Sequence, residues 1–458
     1  MREYELEITD LKKGLRPESR VPVNSNGLIE CFGFRCGSYG LEGYEPFSSP
    51  VDVTIDLHSN WPFPQVIFNG AYRFLIDRDT TGGKDVVYIL DVDYEVSETF
   101  ELPYSTYGTG TLFEVVDFYD YVYITNGLVN IFFDSAYGRW RVGTQVADIP
   151  VAHTVCNFKG SQVIGGNISS SWHDCDERSV VWGRIGEMNF TPDKRNTAGF
   201  KPVVDGGIVY NTRVFNNSII VYTSLGVTVM SATESTAWSW DKLHEVGIVN
   251  KGAVGGNDKQ HLFVDTENCL WKLSNEGLQR LGYQEFISTL TGNIIINYES
   301  TYGDFYISGS NKCYLLANGL SQIPQVPSAV WNDRGIWCYP DTVSVTLPYL
   351  TTDKFDMGYR GSKTIFTIES GIENTDDSYI ALDWIANHSQ AFQTTPWRLL
   401  NKEAIASQII AGTDFRLLFK CTTADIDSRV DYFKVRYKMT DLRGVRGVYA
   451  PPLRGQSR

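Results

Sequence analysis

Five consecutive residues near the middle of the chain carry side chains that could hold a metal ion or move a proton. The segment SWHDCDE places an imidazole, a thiol and three carboxylates side by side, at His173, Asp174, Cys175, Asp176 and Glu177. Oxygen, nitrogen and sulfur ligands of these types bind transition metals. Adjacent residues of a strand point to opposite faces, however, so at most half of them could converge on one ion. We therefore interpret the segment as a solvated turn, and expect no metal and no cofactor.

Other common catalytic patterns are missing from the sequence. None of the six histidines lies two or four residues from another. The chain has no G-x-S-x-G elbow, no P-loop and no G-x-G-x-x-G motif, which are the signatures of hydrolases, nucleotide-binding proteins and dinucleotide-binding proteins. We therefore predict that the protein is not an enzyme.

The composition favours a β protein with an acidic surface. The chain has 458 residues, enough for one large or two medium domains, and aromatic residues make up 13% of it. Many aromatic residues and glycines favour strands over helices. The formal net charge is −14, which argues against ordinary binding to a phosphate backbone, because such binding requires clustered Lys and Arg.

Cysteine spacing and hydropathy indicate the cellular compartment in which the protein is expected to fold. The eight cysteines are scattered, without a C-x-x-C pair, so we expect buried thiols in a reducing cytoplasm rather than a disulfide or zinc framework. The charged N-terminal sequence MREYELEITDLKKGLRPESR has no apolar core typical of a signal peptide. No run approaches 18 apolar residues, so we expect no membrane anchor.

A repeated pattern of strand, short turn and strand begins at about residue 60. It starts at Phe68 (FNGAYRFLIDRD), Phe118 (FYDYVYITNG), Phe158 (FKGSQVIGG), Phe215 (FNNSIIVYTSLG), Gly256 (GNDKQHLFVDTEN) and Tyr302 (YGDFYISGS). The spacing of roughly 40 to 60 residues is that of propeller blades. Radial stacking of such sheets buries both of their faces and limits exposed edges. We predict an all-β protein with an irregular six- to seven-bladed β-propeller.

The sequence changes in character on both sides of this repeat. Residues 1–50 contain Gly or Pro every few positions and are predicted to be an extended N-terminal arm, before a propeller at 51–351. Alternating strands such as DFRLLFKCTT and VDYFKVRYKMTD predict a small β-sandwich at 352–440. For the segment WRLLNKEAIASQIIAG the sequence predicts either a helical turn or a loop. Residues 441–458 are basic and rich in Gly and Pro, and are predicted to be a C-terminal arm.

The stretch RSVVWGRIGEMNFTPDKRNTAGF resembles a segment of bacteriophage neck and tail propellers, in which a strand ending in an aromatic residue leads into a Gly-acid-x-Asn-aromatic turn. The matching residues are Val181, Trp182, Gly186, Glu187, Asn189, Phe190, Ala198 and Gly199. The following segments, PVVDGGIVYNTRVFNNSIIVYTSLGVTVM and VGIVNKGAVGGNDKQHLFVDTENCLWKL, resemble the next blades of that family. The family comprises the packaged-DNA stabilisation, or tail accessory, proteins of short-tailed phages. The resemblance is closest over residues 150–290 and looser over 355–447.

The resemblance implies a structural role without catalytic residues. It implies a ring of subunits, often six, below the portal and its adaptor or head-closure protein. Such a ring closes the DNA conduit and carries the tail hub, needle or fibres. The protein would be made in the host cytoplasm and reside in the virion, and its negative charge would let viral DNA pass without tight binding. Arg443, Arg446 and Arg454 in the C-terminal arm are the candidate subunit contacts.

Two other functions remain open from the sequence. A carbohydrate-active propeller, either a glycosidase or a depolymerase, would use two carboxylates in a central pocket. The segment SATESTAW at 231–238 is the nearest approach to a sialidase box, but lacks its Asp and Gly. Tryptophans could stack on sugars, although blade packing is the more common role of such residues: Trp140, Trp172, Trp238, Trp240 and Trp271. A receptor-binding tail-fibre module is the third possibility, but the sequence shows neither coiled-coil nor β-helix repeats.

Overall fold

The computed structural model describes most of the chain as short strands joined by tight turns. The described residues are 3–18, 27–46, 55–58, 60–70, 72–119, 121–134, 138–143, 150–166, 173–233, 238–331, 337–339, 347–372, 375–386, 391–422 and 429–440. The helical elements are a 3₁₀ turn at Leu11–Lys13, α1 (Tyr104–Tyr107) and α2 (Gln284–Ile287).

The strands fall into two groups. Those of the first and last parts of the chain are β1 (Glu3–Ile8), β2 (Leu28–Phe32), β3 (Phe34–Cys36), β4 (Leu41–Gly43), and, later, β27 (Cys313–Leu316), β28 (Leu320–Ile323), β31 (Tyr349–Thr352), β32 (Lys363–Ile372), β33 (Ser378–Ile385), β34 (Gln393–Thr394), β35 (Arg398–Leu399), β36 (Ile405–Gly412), β37 (Asp414–Cys421) and β38 (Val430–Met439). Those of the middle are β5 (Gln65–Asn69), β6 (Tyr72–Asp79), β7 (Lys84–Leu90), β8 (Val96–Pro103), β9 (Glu114–Phe118), β10 (Tyr121–Thr125), β11 (Asn130–Asp134), β12 (Arg139–Gly143), β13 (Thr154–Phe158), β14 (Ser161–Gly165), β15 (Ser179–Trp182), β16 (Gly199–Pro202), β17 (Val209–Phe215), β18 (Ser218–Thr223), β19 (Val227–Ala232), β20 (Trp238–His244), β21 (Val254–Asn257), β22 (Gln260–Val264), β23 (Leu270–Ser274), β24 (Gly277–Gly282), β25 (Ile295–Glu299), β26 (Asp304–Ser308), β29 (Ala329–Trp331) and β30 (Trp337–Tyr339).

The chain forms two compact units. The propeller unit consists of Phe47–Asn311 and Val326–Thr342, and the sandwich unit of Met1–Pro46, Lys312–Gln325 and Val343–Arg458. These bounds differ from the expected contiguous propeller at 51–351, because residues 312–325 and 343–351 are grouped with the sandwich unit. A purely local pattern of strands and turns does not show which unit a hairpin joins.

The described residues of the propeller unit form five four-stranded antiparallel sheets, each following the order of the chain: β5–β8, β9–β12, β13–β16, β17–β20 and β21–β24. The hairpins β25–β26 and β29–β30 follow. Within the described residues, seven first strands contact one another in a closed circle, in the order β5, β9, β13, β17, β21, β25, β29 and back to β5. The predicted six- to seven-bladed propeller is confirmed.

Apolar side chains fill the spaces between successive blades. The first two blades share a cluster that includes Phe74, Val87, Ile124 and Ile131, all at most 1% exposed. Similar clusters lie between the second and third, third and fourth, and fourth and fifth blades. Burying a side chain of this size contributes about 1.5–3 kcal/mol, so face-to-face stacking stabilises the ring.

The turn after each first strand is tight and lies where each unit of the predicted repeat begins. Phe118 pairs with Tyr121, Phe158 with Ser161 and Phe215 with Ser218, which leaves two residues in each turn. The first turn residue has a positive φ in each case: Tyr119, Lys159 and Asn216. Two-residue turns of this kind match the right-handed twist of the strands that they join. The six repeat starts seen in the sequence are therefore the inner hairpins of six blades.

The sandwich unit consists of two sheets packed face to face. One has the order β3-β4-β38-β32-β36, with β1 added beside β38, and the other contains β28-β2-β31-β37-β33-β34. Phe419 of the second sheet contacts Phe34 and Phe433 of the first. The alternation predicted from the sequence is confirmed, because Phe415, Leu417 and Phe419 are all fully buried. The segment that the sequence left open forms β36 rather than a helix.

The expected N-terminal arm at 1–50 is wrong for its described residues. They supply β1–β4 to the sandwich unit, with β1 antiparallel to β38. These strands are only three to six residues long, so the frequent Gly and Pro residues between them resemble a loop. The predicted C-terminal arm at 441–458, with Arg443, Arg446 and Arg454, lies outside the described residues.

Candidate functional site

The residues of the phage-like motif lie in the connection between β15 and β16 of the third blade. Trp182 is the last residue of β15 and pairs with Gly199, the first residue of β16. A Cβ atom on Gly199 would lie 2.7 Å from Cζ2 of the indole. The indole Nε1 donates a hydrogen bond to the Thr197 carbonyl at 2.9 Å. The ring therefore covers the strand at a position where only glycine fits.

The rest of the motif shapes the same connection. Gly186 has φ +81°, a conformation that strongly favours glycine. The Asn189 side-chain oxygen accepts a hydrogen bond from the Thr191 amide at 2.9 Å. Phe190 is fully buried in the cluster between the second and third blades. These contacts are those of a structural turn.

The side chains of the candidate metal segment do not converge on one site. Cys175 is buried in the same cluster as Phe190. The His173 ring stacks on Phe200, with 5.9 Å between the ring centroids. Asp176 Oδ1 accepts a hydrogen bond from the Arg178 amide at 2.9 Å. In the part of the chain that the structure describes, no three His, Cys, Asp or Glu residues are placed to hold a metal ion.

The described tryptophans that could have stacked on sugars instead contact protein side chains, several of them on the neighbouring blade. Trp140 contacts Phe74 and Phe133, and Trp238 contacts Phe158 and Trp182. Trp271 Nε1 donates a hydrogen bond to the Asp265 carboxylate at 2.7 Å. The Trp240 ring lies 5.3 Å from the Lys201 ammonium. Trp172 lies outside the described residues.

A polar internal site lies on the propeller axis, where each first strand or the loop before it contributes a side chain. Seven residues line this axis or bond across it: Gln65, Glu114, Thr154, Asn211, Lys251, Asn297 and Ser328. Ser328 Oγ donates a hydrogen bond to the Pro64 carbonyl at 2.7 Å, which links the last hairpin to the start of the first blade. Gln65 exchanges two hydrogen bonds with the Phe113 backbone, at 2.7 and 2.9 Å.

Glu114 is the centre of this network and ties three blades together. Its Oε2 accepts hydrogen bonds from the Thr154 hydroxyl at 2.6 Å and the Val155 amide at 3.0 Å. Its Oε1 accepts one from the Asn211 amide group at 2.8 Å. Charge-assisted hydrogen bonds of this kind are stronger than neutral ones. The carboxylate therefore positions its neighbours rather than standing free in the cavity.

Lys251 is the buried cation beside Glu114. Its ammonium lies 3.8 Å from Glu114 Oε1 and donates hydrogen bonds to the carbonyls of Leu112, at 2.6 Å, and His153. Burial lowers the pKa of Lys251, opposed by Glu114 and reinforced by the charge of Arg213. Burial and the Lys251 charge lower the pKa of His153 to about 4, so this imidazole is neutral near pH 7.

Arg213 lies where two cavities on the axis meet. A cavity of about 110 Å³ extends towards Lys251, and one of about 480 Å³ extends towards His261 and the hairpin turns. Arg213 lines both of them. Burial, followed by the charge of Arg213, lowers the pKa of His261 to about 3. The charged residues that line the two cavities are therefore the cations Lys251 and Arg213 and the carboxylates Glu114 and Asp258.

Sequence reasoning missed this axial network, although a signal for part of it was present. Gln65, Glu114, Thr154 and Asn211 each stand four residues before the end of their first strand, which is marked by the hairpin turn. A polar residue at this fixed distance in four repeats marks a shared environment. Lys251 and Ser328 precede their strands and do not follow that spacing.

Comparisons with known proteins find no relative in sequence, and the solved structures named below match the chain with TM-scores of 0.36 to 0.38. No protein-family profile and no curated protein matches the chain. Similar solved structures include PorZ, a bacterial surface component of the type-IX secretion system of Porphyromonas gingivalis (TM-score 0.36, 10% identity, 67% of this chain and 36% of that chain). Another is BamB from Moraxella catarrhalis (TM-score 0.36, 11% identity, 63% of this chain and 78% of that chain). A third is the Pan2 WD40 domain from Neurospora crassa (TM-score 0.38, 7% identity, 62% of this chain and 90% of that chain). This chain thus spans about a third of the PorZ structure.

The described helices are short. Both α-helices have four residues, and no helix among the described residues has the length and apolar character needed to cross a membrane.

Proposed function

We propose that the protein is a structural component of a short-tailed bacteriophage virion, which forms a ring below the portal. In this proposal the ring closes the DNA conduit, contacts the portal adaptor or head-closure protein, and carries the tail hub, needle or fibres. The ring is a hexamer, the chain is made in the host cytoplasm, and it has no enzymatic activity.

The observation that carries the proposal is the resemblance of Arg178–Phe200, and of the blades that follow, to phage neck and tail propellers. Its matching residues have structural contacts here. Trp182 covers Gly199, and Phe190 fills the space between two blades. A motif maintained by packing is what a family of structural proteins requires.

The construction of the propeller suits a load-bearing role. The ends of the ring meet through Ser328 and Pro64, and Glu114 joins the second, third and fourth blades at the axis. Buried hydrogen bonds to a charged group contribute about 1.5–3 kcal/mol each. Such a network resists separation of the blades without requiring any chemistry at the axis.

The negative charge suits a conduit wall. The chain has 54 Asp and Glu against 40 Lys and Arg, and acidic surfaces repel the phosphate backbone. Duplex DNA would therefore pass the ring without being held.

The test is to locate the full-length chain in virions of the phage whose genome encodes it. We expect mass spectrometry of purified particles to detect the protein, and a cryo-EM reconstruction to place six copies below the portal. Absence from purified virions would refute the proposal, and a location at fibre tips would favour receptor binding.

The C-terminal residues provide a second test. A chain without residues 441–458 should fold with an unchanged melting temperature but enter virions poorly, because the basic segment is proposed to tie acidic subunits together. A matched variant with Arg443, Arg446 and Arg454 changed to Gln separates charge from length. Normal incorporation of both variants would contradict the tie.

A further inference from the structure

Among the described residues, Arg213 is the only arginine that lines either of the two axial cavities described above. Its side chain is half-buried, and its Nε is fully enclosed. It makes no hydrogen bond or ion pair with any of the residues that the structure describes. A guanidinium presents five N–H donors in a rigid fork, and leaving a buried donor unmatched costs about 1–3 kcal/mol.

The nearby acidic groups do not neutralise Arg213. Glu114 is committed to the Thr154 hydroxyl, the Val155 amide and the Asn211 side chain, and lies beside the Lys251 ammonium. Asp258 lines the larger cavity but is exposed at the hairpin turn between β21 and β22, where water screens its charge. The guanidinium is thus a cation without a matched acceptor among the residues that the structure describes.

His261 experiences a positive field from Arg213. Burial, followed by the charge of Arg213, lowers the pKa of His261. Burial also lowers the pKa of Lys251, where Glu114 opposes it more strongly than Arg213 adds to it, and burial and the charge of Lys251 lower the pKa of His153. The two imidazoles are consequently neutral near pH 7 and do not add further repulsion between cations. A compact anion beside Arg213 would relieve the positive field.

The size and lining of the larger cavity suit a small ligand. Its volume is about 480 Å³, within the usual range of small-molecule sites. Val116, Val155 and Val214 supply an apolar wall, while Asn157 and Asn257 add polar groups nearer the hairpin turns. An apolar wall with few polar groups strengthens a charged contact by excluding water.

We propose that the propeller axis is a binding site for a small oxyanion, a carboxylate or a phosphate group, which the Arg213 guanidinium recognises. Carboxylate and phosphate oxygens match the spacing of the guanidinium fork and accept two parallel hydrogen bonds. The site is independent of the proposed virion function, because it rests on the axial cavity alone.

The test is isothermal titration calorimetry of the full-length protein with sodium phosphate and, separately, sodium acetate, at constant ionic strength and pH 7. We expect at least one of these oxyanions to bind with a millimolar or lower Kd. The tighter of the two identifies the ligand group as phosphate or carboxylate. Failure of both to bind would overturn the proposal, because water alone would then solvate the guanidinium.

Three variants assign the binding to Arg213. Arg213→Gln should weaken binding at least tenfold, since it removes both the charge and the fork. Arg213→Lys keeps the charge without the fork and should weaken binding less, and it provides the test if the Gln variant does not fold. Arg195→Gln is the matched control, because it removes an equal charge from an exposed loop and should leave the Kd unchanged. Equal Kd values for wild type and both Arg213 variants would overturn the assignment.

Discussion

Trp182 and Gly199 constrain each other sterically, because the indole of one fills the space that a side chain at the other would need. The register of β15 and β16 places them opposite each other, and the indole occupies the space where a Cβ atom would lie. The indole also contacts Trp238 of the fourth blade at 6.0 Å between ring centroids. A single aromatic residue thereby connects a strand pair to the neighbouring blade.

We predict that Gly199→Ala lowers the free energy of unfolding by about 1–3 kcal/mol, because the new methyl group meets the indole. Trp182→Ala should lower it by about 2–4 kcal/mol through lost packing. In the double variant the methyl group has room, so the combined loss should be smaller than the sum of the single losses. Denaturant unfolding of the wild type, the two single variants and the double variant measures these losses. Additive losses would show that the contact does not exist.

His261 is a buried imidazole with both ring nitrogens engaged. Nε2 donates a hydrogen bond to the Val214 carbonyl at 3.2 Å, and Nδ1 accepts one from the Tyr222 hydroxyl at 2.8 Å. The bond from Tyr222 requires the neutral ring, because a protonated Nδ1 cannot accept a hydrogen bond. Burial and the nearby Arg213 charge hold the folded pKa at about 3, below the usual 6.5.

The unfolded chain therefore binds a proton at His261 at a higher pH than the folded chain does. Stability from this residue is fully present above pH 6.5 and falls as the pH drops towards 3, by about 2–3 kcal/mol at pH 4.5. We predict that His261→Gln, compared with the exposed control His173→Gln, loses less stability between pH 7 and pH 4.5. Denaturant titrations at the two pH values measure this, and equal losses in the two variants would contradict it.

The inner hairpin is the element that repeats from blade to blade. Its turn requires positive φ at a residue that is Tyr119 in the second blade, Lys159 in the third and Asn216 in the fourth. Left-handed backbone costs most residues about 1–2 kcal/mol, and Asn tolerates it best after Gly. The turns therefore differ in strain although they share one geometry.

We predict that Lys159→Asn raises the free energy of unfolding by about 0.5–1 kcal/mol, because Asn suits the turn. Lys159→Ala is the control. Both variants lose the contact of the ammonium with the Phe158 ring, but Ala gains nothing in the left-handed region. Thermal unfolding distinguishes them, and equal midpoints for the Asn and Ala variants would argue against turn strain.

The edge strand β1 is positioned by charge as well as by backbone pairing. Its three glutamates face three cations of β38: Glu3 with Lys438 at 2.9 Å, Glu5 with Arg436 at 3.4 Å and Glu7 with Lys434 at 3.4 Å. Exposed pairs contribute little energy individually. Opposite charges on alternate residues nevertheless favour this register, because a one-residue shift would separate the glutamates from their cations. The same shift would also expose the apolar face of β1.

Acidity is the property of the whole chain that bears most directly on DNA. Non-specific DNA-binding proteins reach Kd values of about 10⁻⁴–10⁻⁶ M by releasing counterions from many Lys and Arg contacts. With a net charge of −14, we predict weaker binding than this to duplex DNA at physiological salt, with little salt dependence. A mobility-shift titration at two salt concentrations measures it.

The chain without residues 441–458 provides the comparison, since those residues hold four arginines and a single acidic residue. Any residual binding should disappear in it. Tight binding with a steep salt dependence in the truncated chain would instead indicate a DNA-binding surface elsewhere on the protein.

Local patterns in the sequence were sufficient to predict the blades. Hairpin turns, strand lengths and the alternation of Phe415, Leu417 and Phe419 depend on neighbouring residues, whose backbone preferences and burial can be inferred along the chain. The blades of the propeller and sandwich strands such as β37 follow from such patterns, whereas β1–β4 and β36 were not predicted.

Only the tertiary structure decided which distant segments meet. The pairing of β1 with β38, the link from Ser328 to Pro64, and the group of Glu114, Asn211 and Lys251 all join residues far apart in sequence. Such contacts depend on ring closure and strand order. A polar residue at the start of a strand has the same local signature whether it faces solvent or the axis. The sequence therefore predicted the repeat, while the site at its centre required the closed ring.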